Sequence, residues 1–249
     1  MKSLFRASAL AVAIFGTVAT AHAQYSSPPS WMPMTMLNVS FDTTSDQLSI
    51  QSEASMLGVG VYPVLSVAAS GTYDPAQPWS VLNGTAYSRR LGWYDPNGNI
   101  LGLVQSVYGS GASLWIEKVS ATSGLNTYLA VGKYGVNANN STAVDPAIGA
   151  YSGIFGTAGS SVNWQWDGMM DHNTYAVSLS DITTPNELFS ATYKLYIGDS
   201  AGNELAAAVG ASTTTTWTWQ GPAVVPEPAT WSLAAAGVLG LLARRRIQR

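Results

Sequence analysis

Residues 34–42 read MTMLNVSFD, and this stretch decides the fold class. One set of apolar side chains, Leu37, Val39 and Phe41, recurs at every second position. Because successive side chains of a β-strand point to opposite faces of the sheet, a period of two predicts a strand with one buried face. The turn-forming DTTSDQ and the returning LSIQSEA follow, so residues 35–52 are predicted to form a β-hairpin.

The rest of the chain continues this pattern of short apolar runs separated by turn signals. GTAYSRRLGWYDPNGNILGLVQSVYG is predicted as a hairpin, with a strand up to Tyr94, a turn at residues 95–99 and a second strand from Ile100. Strands are also predicted in ASLWIEKVS, NTYLAVGKYG, SVNWQWDGMMDHNTYAVSL and STTTTWTWQG, and a hairpin with its tip at residues 198–203 in ATYKLYIGDSAGNELAAAVG. Residues 137–161 are predicted to be mostly loop, and we find no helical apolar period of useful length. The sequence therefore predicts an all-β fold, an antiparallel β-sandwich or a jelly-roll-like domain.

The first segment, MKSLFRASALAVAIFGTVATAHAQ, has the three parts of a secretory signal peptide. Lys2 and Arg6 form the basic region, an apolar stretch covers residues 7–18, and Ala21 and Ala23 are the small side chains of the cleavage site. We expect export through the Sec translocon and cleavage by signal peptidase after Ala23.

A second targeting segment is indicated by VVPEPATWSLAAAGVLGLLARRRIQR. The apolar residues 229–243 are fewer than the roughly 20 that span a bilayer comfortably, so they predict a short transmembrane helix. Arg244, Arg245 and Arg246 follow at once and are predicted to stop translocation. Basic residues beside an apolar segment prefer the cytoplasmic side, which places the preceding chain outside.

The run Pro226, Glu227 and Pro228, the apolar segment and the arginine cluster occur in the order of a known signal. Together they resemble the PEP-CTERM sorting signal of Gram-negative bacteria. The resemblance implies recognition by an exosortase, an integral-membrane, cysteine-protease-like transpeptidase, with cutting near Pro-Glu-Pro. It also implies a bacterium that makes exopolysaccharide, biofilm or floc matrix. The protein is then expected in the cell envelope, on the outer surface or in the extracellular matrix, after transient anchoring in the inner membrane.

The chain is thus predicted to have four parts. These are a signal peptide (1–23), a flexible leader (24–34), a β-sandwich domain (35–221) and the sorting signal (222–249). Between the two targeting ends stand thirteen acidic and five basic side chains, a net charge of −8, which disfavours nucleic acid and anionic lipid as partners. Cysteine is absent, so disulfides, thiolate metal sites and a cysteine nucleophile are excluded, and no cofactor is expected.

The stretch WDGMMDHNTY is the strongest candidate for a metal-binding or catalytic site. Asp167, Asp171 and His172 are of the residue types that bind divalent cations, but their spacing fits no standard metal site. We favour a turn at Asp167 and Gly168 with a hydrogen-bonded histidine, between two strands or before a helical turn, and assign no metal and no catalytic residue. The alternative is a secreted hydrolase or metal-dependent enzyme that uses this loop.

Two tryptophan pairs are candidates for ligand stacking. Trp164 and Trp166 share one strand face, and so do Trp217 and Trp219, because residues two apart point the same way. An exposed pair would form a flat platform for a sugar ring, whereas a buried pair belongs to the core, which is the more common place for tryptophan. The threonines at 213–216 put two hydroxyls on each face, which a β-branched strand explains without an ice-binding array.

These observations predict an exported cell-surface or matrix protein, sorted and processed by an exosortase. Its β domain is expected to be non-enzymatic, and either structural or associated with exopolysaccharide. The remaining alternatives are the secreted enzyme described above and an adhesin or ice-binding type of surface protein.

Overall fold

The computed structural model describes residues 24–25, 35–67, 72–131 and 150–223. β-Strands are its predominant secondary structure and helices are few, which confirms the prediction of a mainly β protein. The predicted signal peptide, the rest of the predicted leader and the sorting signal from residue 224 onwards lie outside the described residues.

Fourteen strands and two short α-helices are present in these ranges. The strands are β1 (Gln24–Tyr25), β2 (Thr35–Asp42), β3 (Gln47–Ile50), β4 (Ser66–Val67), β5 (Thr72–Tyr73), β6 (Thr85–Ser88), β7 (Leu91–Tyr94), β8 (Ser113–Ala121), β9 (Asn126–Val131), β10 (Ala150–Ile154), β11 (Asn163–Trp166), β12 (Asp171–Ser178), β13 (Leu188–Gly198) and β14 (Thr213–Gln220). The helices are α1 (Glu53–Leu57) and α2 (Ile100–Tyr108).

The larger sheet has eight strands, of which six follow the order β10-β9-β12-β7-β2-β3, while β6 pairs with β12 and with β4. The predicted hairpin over residues 35–52 is present as the antiparallel pair β2–β3. The pair β2–β7 is parallel, with Thr35 opposite Leu91. The sheet is therefore mixed, whereas the sequence predicted an antiparallel one. The long connection between these two strands allows the chain to return to the same end of the sheet before β7 begins.

The smaller sheet is antiparallel, in the order β11-β8-β13-β14. Its longest strand, β13, begins with Leu188 opposite Gln220 and ends with Gly198 opposite Ser113. At the first of these ends, Val64 forms a parallel bridge to Gln220 beside β14. The register therefore defines two poles of the sheet, one at Gln220 and one at Gly198.

Aromatic side chains from the two sheets meet in the core. Trp93 of the larger sheet lies 4.3 Å from Trp217 of the smaller one, measured between ring centroids, and Tyr175 stacks on Trp219 at 4.2 Å. All four side chains are fully buried. The two sheets therefore pack face to face, and large rings, which bury more apolar surface than other side chains, fill the space between them.

Helix α2 corrects the prediction of a second strand from Ile100. Asp95 is buried, and its carboxylate accepts hydrogen bonds from the backbone N–H groups of Asn99 (2.6 Å) and Ile100 (2.7 Å), which begins the helix. Ile100 and Val104 are then buried four residues apart on one helix face. The turn was predicted correctly from its residues. The helix has only nine residues, which is too short for its apolar period to be distinguished within a run of apolar residues.

Three further departures from the prediction concern the segments between strands. β10 lies in the stretch predicted as loop, because Ala150–Ile154 pair in register with β9. Gln24–Tyr25 of the predicted flexible leader form β1, paired in parallel with β5. After the turn that follows β13, the returning strand of the predicted hairpin is reduced to a bridge between Gly198 and Glu204.

Candidate functional site

The turn between β11 and β12 and the start of β12 contain the candidate metal-binding or catalytic residues Asp167, Asp171 and His172. Two strands flank the turn, and β12 begins at Asp171, so no helical turn follows Gly168. Asp167 accepts a hydrogen bond from the N–H of Met169 (2.8 Å), and the Nε1–H of Trp166 donates to the carbonyl of Met169 (2.8 Å). Gly168 has a φ of 80°, which favours glycine. Local bonds thus account for this turn.

Asp171 and His172 are consecutive residues of β12, so their side chains project from opposite faces of the sheet. Burial, with a smaller contribution from the charge of Asp167, raises the pKa of Asp171 to about 6. Burial, with a smaller contribution from Arg89, lowers the pKa of His172 to about 4, so the imidazole is neutral at neutral pH. Within the described ranges, no three His, Asp or Glu side chains form a group that could hold a metal ion.

A shallow depression of about 370 Å³ lies beside this turn. It is lined by Tyr94, Asp95, Pro96, Asn97, Gly98, Gly168, Met169 and Met170. Neither Asp171 nor His172 belongs to this lining, and the carboxylate of Asp95 is already engaged by backbone N–H groups of α2. The depression therefore brings together no acid–base pair.

The four tryptophans named as stacking candidates face inward. Trp166, Trp217 and Trp219 are buried, which leaves them no exposed face on which a sugar could stack. Trp164 is half-buried and meets Phe155 edge-to-face at 5.8 Å between ring centroids. The period of two placed both pairs correctly on common faces, but which face is buried depends on the opposing sheet.

Trp115 is a half-buried aromatic residue on the outer face of the smaller sheet, and sequence reasoning did not single it out. Its neighbours in β8, Leu114 and Ile116, are fully buried, so Trp115 points away from the core. The sequence did contain a signal for this outward position, because Leu114 and Ile116 share one strand face and Trp115 lies between them on the other. Gln165 of β11 and Tyr196 of β13 lie directly opposite Trp115 on the two adjacent strands.

The turn after β13 holds the Trp115 ring in place. The Nε1–H of Trp115 donates to the carbonyl of Asp199 (2.8 Å), and a Cβ atom at Gly202 would lie 3.4 Å from the ring. Beside it, Lys194 and Glu204 form an ion pair at 2.6 Å. An oriented ring with amide and charged groups around it is an arrangement suited to a polar ring-shaped ligand.

The threonines of β14 extend the same outer face. Thr214 and Thr216 are exposed, whereas Thr213 and Thr215 point to the other side of the sheet and are half-buried. The hydroxyl groups of Thr192 and Thr216 lie 2.9 Å apart across the strand pair. The outer face therefore carries Trp115 toward the Gly198 pole, opposite Tyr196, and exposed threonine hydroxyl groups nearer the middle of β13, opposite Thr192 and Lys194.

The comparison with protein families gives a match in the C-terminal segment. The model of the PEP-CTERM protein-sorting motif matches residues 224–246. The chain carries a PEP-CTERM sorting motif. The matched range includes the Pro226–Glu227–Pro228 run and the three arginines, so the resemblance seen in the sequence is confirmed.

The PEP-CTERM motif implies exosortase-dependent sorting to the cell surface, with an exosortase as processing partner. It indicates an exported protein directed to the cell envelope. No helix of the described residues is long and apolar enough to cross a membrane, and the apolar residues 229–243 lie outside those residues. Comparison with curated proteins and with solved structures found no match to this chain.

Proposed function

We propose that this PEP-CTERM protein is a non-enzymatic component of the outer surface or extracellular matrix of a Gram-negative, exopolysaccharide-forming bacterium. In this proposal a signal peptide cleaved after Ala23 directs export, and a short helix over residues 229–243 holds the chain in the inner membrane until an exosortase cuts near Pro-Glu-Pro. The observation that carries the proposal is the sorting motif at residues 224–246.

The arrangement of the β12 residues supports a non-enzymatic domain. Asp171 and His172 point to opposite faces of the sheet, and the imidazole has the low pKa of a weak base. A general base must lie within hydrogen-bonding reach of its reactants, and the adjacent depression contains neither of these side chains. The alternative of a hydrolase that uses the Asp167–His172 loop therefore has less support than a structural or binding role.

The outer face around Trp115 supports polysaccharide as the partner of the domain. The ring is half-buried and oriented by the Asp199 carbonyl, and the amide of Gln165 lies beside it on the neighbouring strand. Sugar rings present flat C–H faces that pack on aromatic rings, and their hydroxyl groups bond to amide and charged side chains. The domain is acidic, so a neutral polymer fits this face better than an anionic one.

The intact mass of the mature protein tests the sorting part of the proposal. Protein isolated from its native host is expected to start at Gln24 and to stop near Pro226. In a host that lacks its exosortase, the mass is expected to retain Arg244, Arg245 and Arg246. A variant truncated after Val225 serves as the control and should be released into the medium.

A mass that retains the three arginines in both hosts would overturn processing by an exosortase. Retention of the variant truncated after Val225 in the envelope would show that the tail is not what holds the protein at the cell.

Co-sedimentation of the mature protein with exopolysaccharide purified from its producing bacterium tests the binding part. W115F keeps an aromatic ring and should bind at least half as well as the wild type, whereas W115L removes the flat ring and should lose most of the binding. Thr216→Ala is an exposed change on the same outer face, opposite Thr192 and four residues along β13 from Tyr196, and this control should bind normally. Equal binding by W115F and W115L would contradict stacking on Trp115.

A further inference from the structure

An exposed apolar turn follows α1 at residues 58–64, with the sequence GVGVYPV. Val59 is 93% exposed, Val61 49% and Val64 48%. Single exposed apolar residues are ordinary, but several in one short segment mark a surface that meets an apolar partner. We call residues 58–64 the valine loop.

The valine loop is held firmly in its exposed position. The N–H of Val61 donates to the carbonyl of Gly58 at 3.2 Å, closing a turn. Gly58 and Gly60 have φ angles of 99° and 73°, which other residues rarely adopt. The exposed valines therefore belong to a defined turn and need little ordering when they meet a partner.

Backbone bonds place this loop where the domain ends and the sorting motif begins. The N–H of Gln220 donates to the carbonyl of Pro63 (2.9 Å), and the N–H of Leu65 donates to the carbonyl of Gln220 (2.7 Å). The described chain ends at residue 223, and the sorting motif is matched from residue 224. The loop is therefore tied to the chain only a few residues before the tail.

The surroundings of the loop at the Gln220 pole are also partly apolar. Leu188, which pairs directly with Gln220, and Met56 of α1 are both exposed. Residues 54–67 contain no charged side chain. Glu187, which directly precedes Leu188, is an acidic group at the same pole.

We propose that the valine loop contacts the lipid bilayer while the uncleaved tail anchors the protein, so that the domain rests on the membrane by its Gln220 pole. This rests on the proposed function, in which residues 229–243 are in the membrane. A domain with a net charge of −8 gains nothing from anionic headgroups, so the contact depends on burial of the valines in the interfacial region of the bilayer. It presents the Pro-Glu-Pro segment close to the membrane surface, where an integral-membrane exosortase acts.

A fluorescent probe at position 59 tests this contact. The chain has no cysteine, so V59C in the full-length protein carries one label at a defined place. The labelled chain is reconstituted into phosphatidylcholine vesicles, and quenching by a spin-labelled lipid is measured. We expect several-fold stronger quenching than in the matched control M169C, and no loss of quenching at raised ionic strength.

Met169 is a suitable control because it is 58% exposed and lies at the other end of the smaller sheet. Trp166 pairs with Leu114, at the Gly198 pole, whereas the valine loop is at the Gln220 pole. The ten residue steps of β13 between the poles span about 34 Å, at about 3.4 Å per residue. A label at position 169 is thus expected to remain in water.

Flotation of the vesicles separates the two proposals. If the full-length chain does not float with the vesicles, membrane anchoring itself fails. If it floats but positions 59 and 169 are quenched equally, the valine loop does not contact lipid and the inference is overturned. V61D in the V59C chain should leave flotation unchanged and reduce quenching severalfold. Unchanged quenching in this variant would also overturn the inference. So would quenching of the V59C label that appears only at high protein concentration.

Discussion

At the scale of a residue, Glu53 is a buried ionisable group at the start of a helix. It is the first residue of α1, it is buried, and its Oε2 atom accepts a hydrogen bond from the N–H of Thr218 in β14 at 2.8 Å. Burial raises the pKa of Glu53 to about 7, although the bond from Thr218 opposes this shift. The carboxyl group joins α1 to the edge of the smaller sheet.

The raised pKa predicts how E53Q alters the pH dependence of stability. Between the ordinary pKa of 4.5 and about 7, folded Glu53 retains a proton that the unfolded chain releases, so wild-type stability falls as the pH rises. The amide of E53Q can still accept from Thr218 and does not titrate. The melting temperature of E53Q relative to wild type is therefore expected to increase from pH 4.5 to pH 8.

E187Q is the matched control for this measurement. Backbone N–H groups of Thr183 and Thr184 lower the pKa of the half-buried Glu187, whose carboxylate is stabilising once it is ionised. The sign is opposite: E187Q should lose stability relative to wild type as the pH rises through the titration of Glu187. A pH-independent difference between E53Q and wild type would refute the assignment of a buried, proton-retaining carboxyl.

At the scale of an element, α2 depends on the side chain of Asp95. This buried carboxylate accepts hydrogen bonds from the backbone N–H groups of Asn97, Asn99 and Ile100. The first N–H groups of a helix have no partner within the helix, so a side-chain acceptor is needed where they are shielded from water. The helix in turn buries Ile100 and Val104 against the core.

D95A should therefore destabilise the domain by about 1–3 kcal/mol, since it leaves the buried N–H of Ile100 and the partly buried N–H groups of Asn97 and Asn99 without this acceptor. Urea unfolding measures the change. D42A is the control, because Asp42 accepts the N–H of Thr44 in the same way but is exposed, and a loss under about 0.5 kcal/mol is expected there. Equal losses in D95A and D42A would show that α2 does not depend on this acceptor.

The same element shows why part of the fold was mispredicted. The sequence DPNGN is a good turn, and the apolar run after it is compatible with a strand or with a buried helix of nine residues. Periodicity does not distinguish these over so short a length. The outcome follows from Asp95, whose burial and contacts exist only in the folded chain.

At the scale of the whole molecule, two sheets pack through aromatic side chains, without cysteine to cross-link them. Tyr193 of β13 contacts both Trp93 and Trp217, with ring centroids at 5.7 Å and 5.2 Å, so one cluster joins both sheets. The tryptophans that suggested a ligand platform thus hold the sheets together. Trp115, which lies on the outer face, is in a strand that the sequence predicted, but the sequence did not indicate its proposed role in binding.

Local patterns in the sequence determined the predominance of strands, most strand positions and the sorting motif. These features repeat every two residues or lie within a run of a few tens of residues, so no distant contact is needed to recognise them. The tertiary structure alone decided the parallel pair β2–β7, the buried faces of the tryptophans, the bond between Glu53 and Thr218 and the place of the valine loop beside Gln220. Glu53 and Thr218 are 165 residues apart in the chain, and only the packing of the two sheets brings such groups together and removes them from water.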